Sequence, residues 1–274
     1  MHTSEKRHYL FASDFDQTLS FNDSGIVLAE LLGIRDYEER VCGLAASNLV
    51  QQGGELAYLI RHDPDFRGVR REHLVEAGKR VRLKRAIPQL VELLENGLSG
   101  LVVSFYVISA APRDVVVSAL DGIVRPERII ATELDFDERT GEVAAIRKVA
   151  AGFGKVAVLE QLTEALGIAR DRVVYVGDGS SDVHAMLHVN NHYGFTVSVS
   201  GNQLLAAVAR STVISDNACS VLMPVFEQVL GWRLPSIRSA MEASGLRLDA
   251  WQKERRDTVL LAEVGQVVAV GAPR

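Results

Sequence analysis

The chain has 274 residues, of which 47% are hydrophobic and 24% charged, with a formal net charge of −5. These values are typical of a globular protein with one large domain, or with a core and a smaller domain. The slight acidity gives no electrostatic basis for binding nucleic acid or an anionic membrane surface. The polar first residues and the shortness of the apolar runs predict no secretion signal and no transmembrane helix, so we expect a soluble cytoplasmic protein. Cys42 and Cys219 form no CxxC motif and predict no disulfide framework.

Five short apolar segments alternate with helical patterns along the chain. They are rich in β-branched and aromatic residues, and each is too short for a typical helix. Such alternation predicts an α/β fold with a Rossmann-like parallel sheet that helices cover on both faces. The predicted strands are residues 9–13, 101–109, 128–132, 172–176 and 195–199.

Residues 21–98 read as a helical insertion after the first strand. The helical patterns 26–32, 37–51, 70–82 and 88–96 occur there without a clear strand, which predicts a separately packed cap above the strand ends. Residues 1–20 and 99–215 would then form the core, with a hairpin turn over 133–143. Residues 216–274 predict a C-terminal helical extension, with helices over 218–230, 235–243 and 248–261.

An acidic motif, Asp14-Phe15-Asp16-Gln17-Thr18, follows the first predicted strand. Two carboxylates this close after a buried strand repel each other and are costly to desolvate, and a divalent cation offsets that cost. Mg²⁺ accepts one or two carboxylates together with a phosphate oxygen. A carboxylate can also attack phosphorus to form an aspartyl-phosphate. Taken alone, the motif equally fits a solvated acidic turn.

Three further polar elements follow in chain order. Ser109 ends the second strand before a helix, where a hydroxyl and backbone amides can bind phosphate. Lys155 begins an amphipathic helix, where its charge opposes the helix dipole unless a phosphate is there to be neutralised. Asp178 and Asp182 lie one helical turn apart after the fourth strand, in the sequence GDGSSD. Each element alone also fits an N-cap or a turn, but ligands of parallel sheets bind beyond the carboxyl ends of the strands, which predicts one shared site.

In this order, the four elements resemble the haloacid dehalogenase superfamily of phosphohydrolases over about residues 8–200. The resemblance implies a Rossmann-like core, bound Mg²⁺ and a covalent aspartyl-phosphate. It also favours phosphoryl transfer over dehalogenation, because the dehalogenases of the superfamily lack an acidic residue at the position of Asp16.

The resemblance also implies a role for each motif residue. Asp14 is implied to be the nucleophile and a metal ligand. Asp16 is implied to be the general acid and then the general base, with its backbone carbonyl also binding the metal. Thr18 is implied to hold Asp16 in place beside the phosphate. The other implied residues are the phosphate-binding Ser109, Ala110 and Lys155, the metal ligand Asp178 and the supporting Asp182.

The long helical insertion resembles the cap of the phosphoserine phosphatase-like branch. Asp23 stands where that branch binds a substrate amine with Glu, and Arg80 resembles its carboxylate-binding arginine, although a solvated helix face explains Arg80 equally well. The chain departs from the branch at Ala110 and Ala111, which replace two glycines, and at Ser181, which replaces asparagine. Phosphoserine is therefore one candidate among the small phosphomonoesters.

These observations favour a Mg²⁺-dependent phosphatase that acts on a small phosphorylated metabolite. Two alternatives remain at the level of sequence: a phosphotransferase or mutase on the same fold, and a non-catalytic binding protein. The costly acidic cluster argues against the last of these. We expect a monomer or a homodimer.

Overall fold

The computed structural model describes residues 7–48, 50–96, 101–253 and 257–263, which contain one mixed sheet of nine strands. Their bounds are β1 (Arg7–Ser13), β2 (Leu101–Pro112), β3 (Ile129–Phe136), β4 (Val143–Lys148), β5 (Val173–Gly177), β6 (Phe195–Ser198), β7 (Ser211–Ile214), β8 (Leu246–Gln252) and β9 (Asp257–Glu263). The strand order across the sheet is β4-β3-β2-β1-β5-β6-β7-β9-β8.

The strands from β3 to β9 in this order pair in parallel, whereas β4 and β8 lie antiparallel at the two edges. The central strand is β1, which pairs with β2 on one side and with β5 on the other. The predicted Rossmann-like α/β fold is thus confirmed. The hairpin turn predicted over 133–143 is shorter, since 133–136 belong to β3 and only 137–142 connect β3 to β4.

Successive side chains of each strand point to opposite faces of the sheet. Both faces carry apolar side chains, and helices cover both. Leu10 and Ala12 of β1 belong to one buried apolar cluster, and Phe11 between them belongs to the other. The helices are α1 (Ser24–Leu32), α2 (Tyr37–Ser47), α3 (Glu55–His62), α4 (Arg71–Arg80), α5 (Ile87–Asn96), α6 (Arg113–Ala119), α7 (Phe153–Leu166), α8 (Val183–Asn191), α9 (Gln203–Val208), α10 (Leu222–Pro224) and α11 (Leu234–Ala243).

The insertion after β1 leaves the core and returns to it at one narrow neck. The backbone of Ser20 forms an antiparallel bridge with Leu83, and the amide of Phe21 donates to the carbonyl of Arg82 at 2.8 Å. Helices α1 to α4 lie between these points. The sequence prediction also placed α5 in the cap, up to residue 98, but α5 packs against β2 and so covers the sheet. Residues 97–100 lie outside the described ranges.

The C-terminal segment corrects the sequence prediction. Residues 248–261 were predicted to be a helix, but 248–252 belong to β8 and 257–261 to β9. These two strands form an antiparallel pair that joins the sheet through β7, and residues 254–256 lie outside the described ranges. Leu246 and Leu248 are buried while Arg247 and Asp249 are exposed, which is the two-residue period of a strand. Strand β7 was not predicted either. The other two predicted helices are confirmed, as helical turns over 218–229 and as α11.

Residues 1–6 and 264–274, which the sequence analysis assigned to the core and to the extension, lie outside the described ranges. No helix within those ranges combines the length and the hydrophobicity needed to cross a bilayer.

Candidate active site

The sheet topology brings three of the predicted residues to one edge. Asp14 follows β1, Ser109 lies near the end of β2, and Asp178 follows β5. Since β1 lies between β2 and β5, the three meet above adjacent strands, and the amide of Asp14 donates to the carbonyl of Val176 at 2.8 Å. Carboxylate oxygens of Asp14, Asp178 and Asp182 lie within 4.8 Å of one another.

Lys155 supplies the positive charge beneath these acids. It lies in the first turn of α7 and is completely buried. Its Nζ is 2.9 Å from Asp14 Oδ1 and 2.6 Å from Asp182 Oδ1. Burial alone would lower the pKa of Lys155, but the charges of Asp14 and Asp182 outweigh it and raise that pKa above its usual value. The lysine is therefore held charged against the predicted nucleophile.

Asp182, whose predicted role is to support the site, accepts hydrogen bonds from several parts of the core. Its Oδ1 also accepts from the hydroxyl of Tyr175 at 2.6 Å, and its Oδ2 accepts from the amides of Asp178 and Gly179, both at 3.1 Å. A Cβ at Gly177 would lie 2.4 Å from Asp182 Cγ, so this close approach requires glycine at position 177. Asp182 is thus saturated with donors and fixes both Lys155 and the loop that carries Asp178.

The ionised forms of Asp14 and Asp178 are unfavourable relative to the protonated forms unless a cation lies between the two side chains. Burial, followed by the charge of Asp182, raises the pKa of Asp14 well above its usual value, although Lys155 opposes the shift. The same two causes raise the pKa of Asp178 to about 7. A group of like-charged, desolvated carboxylates is what a divalent cation stabilises.

The hydroxyl of Thr18 donates to Asp178 Oδ1 at 3.2 Å, not to Asp16 as the sequence analysis expected. Ser24 makes the contacts that were expected of Thr18. Its amide donates to Asp16 Oδ1 at 3.0 Å, and its hydroxyl donates to Asp16 Oδ2 at 2.8 Å. The sequence analysis missed Ser24, although its place at the start of α1, eight residues after Asp16, is a signal that hydrogen-bonding donors are available there.

Asp16 has the properties of a general acid. Burial and then the charge of Asp23 raise the pKa of Asp16 to about 8, against the opposing hydrogen bonds from Ser24. A carboxyl with this pKa carries its proton at neutral pH. Gln17 beside it adopts a left-handed backbone with φ 52°, which is uncommon for a residue other than glycine and turns the chain sharply after Asp16.

A cavity of about 270 Å³ lies between this sheet edge and the cap. Ser109 and Ala110 line it on the core side, and the Ser109 hydroxyl accepts from the amide of Ala111 at 3.1 Å. Asp23, predicted to contact substrate, lines it on the cap side, together with residues that the sequence analysis did not select, Tyr37 and Glu55.

Arg80 does not line this cavity, which contradicts its predicted role in substrate binding. It lies exposed on α4 and forms an ion pair with Glu76, one helical turn away, at 2.8 Å. Such i, i+4 pairs are ordinary features of solvated helix faces. The clustering of basic residues around Arg80 is therefore explained by the surface of the helix.

Residues 11–187 match the family model described as haloacid dehalogenase-like hydrolase. The chain belongs to this family. No curated protein matches it in sequence. Among solved structures, it is similar to a substrate-bound phosphoserine phosphatase, with 20% identity, a TM-score of 0.62 and coverage of 80% of this chain and 98% of that one.

A phospho-aspartyl intermediate analogue of phosphoserine phosphatase gives 20% identity, a TM-score of 0.61 and coverage of 79% of this chain and 98% of that one. A phosphoserine phosphohydrolase-like protein from Francisella tularensis gives 14% identity, a TM-score of 0.60 and coverage of 78% and 98%. At such identities these likenesses support the fold of this haloacid dehalogenase-like hydrolase.

The donor set of the site suits a hard divalent cation. Carboxylate oxygens of Asp14 and Asp178 lie within 4.8 Å of each other, and the acidic group offers only oxygen atoms, as Mg²⁺ prefers. Asp182 belongs to the same acidic group, but its oxygens are already occupied by Lys155, Tyr175 and two backbone amides. Asp14 and Asp178 are therefore the side chains best placed to hold a metal.

Proposed function

We propose that this protein is a Mg²⁺-dependent phosphatase that hydrolyses a small phosphomonoester through an aspartyl-phosphate on Asp14. One observation carries the proposal: Asp14 faces the cavity beside the charged Lys155, and the carboxyl of Asp16, with its pKa raised to about 8, lines the same cavity. A nucleophilic carboxylate and a protonated carboxyl side by side are what this two-step chemistry needs.

In the first step, an oxygen of the Asp14 carboxylate attacks phosphorus, and the bond from phosphorus to the ester oxygen breaks. Asp16 gives its proton to that departing oxygen, so the leaving group departs as a neutral alcohol. In the second step, Asp16, now a carboxylate, takes a proton from water. The water oxygen attacks the phosphorus of the aspartyl-phosphate, which releases inorganic phosphate and restores Asp14.

Phosphoryl transfer depends on positioning and on stabilisation of charge at the phosphoryl oxygens. In this proposal, the Ser109 hydroxyl provides part of that stabilisation from the wall of the cavity, and the charge of Lys155 provides part of it from behind Asp14. Asp14, Asp178 and the backbone carbonyl of Asp16 would hold Mg²⁺, which when bound supplies further positive charge to the phosphoryl group. Ser24 keeps the Asp16 carboxyl oriented through both steps.

Release of inorganic phosphate from a panel of small phosphomonoesters tests the proposal, measured with Mg²⁺ and with excess chelator. We expect release only with Mg²⁺. Acid quenching during turnover should trap one phosphoryl group on the peptide that contains Asp14, detected by mass spectrometry. Absence of release from every ester, with no binding of Mg²⁺, would contradict the proposal.

An assay with an added alcohol distinguishes hydrolysis from transfer of the phosphoryl group to an acceptor other than water. A hydrolase gives inorganic phosphate as its main product even when the acceptor is abundant, whereas a phosphotransferase gives the new ester. A cytoplasmic location and a monomeric or dimeric state stay predictions alongside this proposal.

A further inference from the structure

The cap side of the cavity, defined here as Asp23, Tyr37 and Glu55, carries acidic groups without a neighbouring cation. Among the described residues that line the cavity, none is lysine, arginine or histidine. Lys155 lies behind Asp14 with no exposed surface. The part of a substrate that extends from the phosphate towards the cap therefore meets negative charge and hydroxyl groups.

Glu55 is unusual because it is an acidic side chain buried under the cap, with 7% of its surface exposed. It lies in the first turn of α3, and its Oε2 accepts from the amide of Gly53 at 2.7 Å. No ion pair of Glu55 exists among the described residues. Buried carboxylates are normally paired, so this carboxylate has room for a cationic partner.

Asp23 presents a second carboxylate to the same space. Its Oδ1 caps α1 by accepting from the amides of Gly25 at 2.7 Å and Ile26 at 3.2 Å. Its Oδ2 has no hydrogen bond to any described residue, and Asp23 lines the cavity. Burial raises the pKa of Asp23, which indicates that its negative charge lacks compensation in the free protein.

Tyr37 provides an independent sign that a ligand belongs here. Its side chain is 8% exposed and lines the cavity, and its hydroxyl has no hydrogen bond within the described part of the chain. A Cβ at Gly25 would lie 1.9 Å from this hydroxyl and 2.9 Å from Asp23 Oδ1, so Gly25 lets the two polar groups approach the same point. The hydroxyl therefore opens onto the cavity, where a ligand can supply the hydrogen-bond partner that it lacks.

From these contacts we infer that the substrate is the phosphomonoester of an amino alcohol, with a positively charged amine and no carboxylate. This inference rests on the proposed phosphatase function. An ammonium group has three donors and no acceptor, which matches two carboxylates and a hydroxyl oxygen. A carboxylate in the same position would face Asp23 and Glu55 without a cation to offset the repulsion.

Lys84, which lies outside this cavity, is a basic residue that could bind a carboxylate of the substrate. It lines a neighbouring cavity of about 450 Å³ together with Asp216, and Gln17 and Asp178 separate the two spaces because they line both. A carboxylate bound by Lys84 would occupy this neighbouring cavity and not the space beside Asp23 and Glu55. Arg80 lines neither cavity and is paired with Glu76 on α4.

Three matched esters test the inference in the full chain with Mg²⁺: O-phosphoethanolamine, n-propyl phosphate and O-phospho-L-serine. Propyl phosphate replaces the ammonium by a methyl group, and phosphoserine adds a carboxylate. We expect kcat/KM for O-phosphoethanolamine to exceed that of each of the other two by about tenfold or more. Equal values for propyl phosphate, or a higher value for phosphoserine, would overturn the inference while leaving the phosphatase function intact. Hydrolysis of none of the three, or of any other phosphomonoester, would instead defeat the function itself.

The variant Glu55→Gln tests whether Glu55 binds the ammonium group of the substrate. We expect the ratio of kcat/KM for O-phosphoethanolamine over propyl phosphate to fall about tenfold, since one of two ionic partners is lost. Glu76→Gln is the matched control, because it removes the same charge from an exposed position on α4. An unchanged ratio in Glu55→Gln, with thermal unfolding like that of the parent, would overturn the inference. A selective loss of phosphoserine turnover in Arg80→Gln or Lys84→Gln would overturn it as well.

Discussion

The charged groups of the core side are Asp14 and Asp178, which line the cavity, and the buried Lys155 and Asp182 behind them. They differ from the cap side in how their charges are neutralised. On the core side, a buried lysine lies between two acids, and Asp182 accepts four hydrogen bonds. On the cap side, acidic groups and a tyrosine hydroxyl face the cavity with few partners within the protein.

This difference has a physical reason. These groups of the core side follow two adjacent strands, β1 and β5, or lie at the start of α7, so their geometry is fixed by the sheet. Chemistry that depends on positioning belongs on such a rigid edge. The cap side lies on an insertion connected through one neck, where a substrate can supply the missing partners. The polar side chains of the cap side, which have few partners within the protein, are therefore suited to substrate recognition.

The largest effect is expected from Asp14→Asn on the core side. Loss of the nucleophilic carboxylate should lower kcat by at least about 10³-fold, as removal of a catalytic nucleophile does elsewhere. The amide keeps the shape of the side chain, and Lys155 retains Asp182, so urea unfolding should show no loss of stability. Activity within tenfold of the parent would show that Asp14 is not the nucleophile.

Lys155→Met tests whether the core side depends on internal charge pairing. The change leaves Asp14 and Asp182 buried without their cation, and such a loss costs about 3–5 kcal/mol of folding free energy. Urea denaturation measures this, with the exposed Lys79→Met on α4 as the control, for which we expect no significant change. A loss below 1 kcal/mol in Lys155→Met would mean that the pairing contributes little.

Ser24→Ala probes a contact between the cap and the core, since Ser24 belongs to the cap and its hydroxyl donates to the carboxylate of Asp16. We expect kcat for alkyl phosphates to fall about tenfold, because a general acid that is poorly oriented loses part of its contribution. p-Nitrophenyl phosphate should be affected less, since its leaving group needs no proton. The exposed Ser236→Ala is the control. Equal losses for both classes of ester would argue against a role for Ser24 through Asp16.

The smallest effect is expected from Gly53→Ala, where the cap touches the core. Gly53 has φ 88°, and a Cβ there would lie 2.7 Å from the Cβ of Ser181 and 2.9 Å from that of Ala151. We expect KM to rise several-fold, because the cap must move away from the core. Gly33→Ala is the matched control, since Gly33 has φ 76° but nothing near its added Cβ.

Both glycine variants should lose about 1–2 kcal/mol through the left-handed backbone alone. Only Gly53→Ala should change KM. A similar change of KM in Gly33→Ala would assign the effect to strain in the cap and not to its contact with the core.

The sequence predicted the core of the fold because its signals are local. Short apolar strands that end in polar residues, separated by amphipathic helices, identify a parallel sheet and the edge where ligands bind. It failed at 248–252 and 257–261, where two strands were predicted to be one helix, since short apolar runs fit either period until a partner strand is known. It also missed β7, which has only four residues.

The motif residues Asp14, Lys155 and Asp178 were within reach of sequence analysis, because each stands at the end of a strand or the start of a helix. Tyr37 and Glu55 were not, since their importance arises from the way the cap folds over the core, and Ser24 was signalled only by its place at the start of α1. Arg80 shows the converse: its surroundings in sequence suggested a substrate contact, and the fold directs it to Glu76 at the surface.

The sequence by itself determined the family of this protein and the residues of its core side, because strand ends and helix starts place those groups wherever the fold is formed. Only the tertiary structure decided which cap residues face Asp14 and what charge they present there. That arrangement depends on contacts between residues far apart in the chain, such as the close approach of Gly53 to Ser181, which no local pattern records.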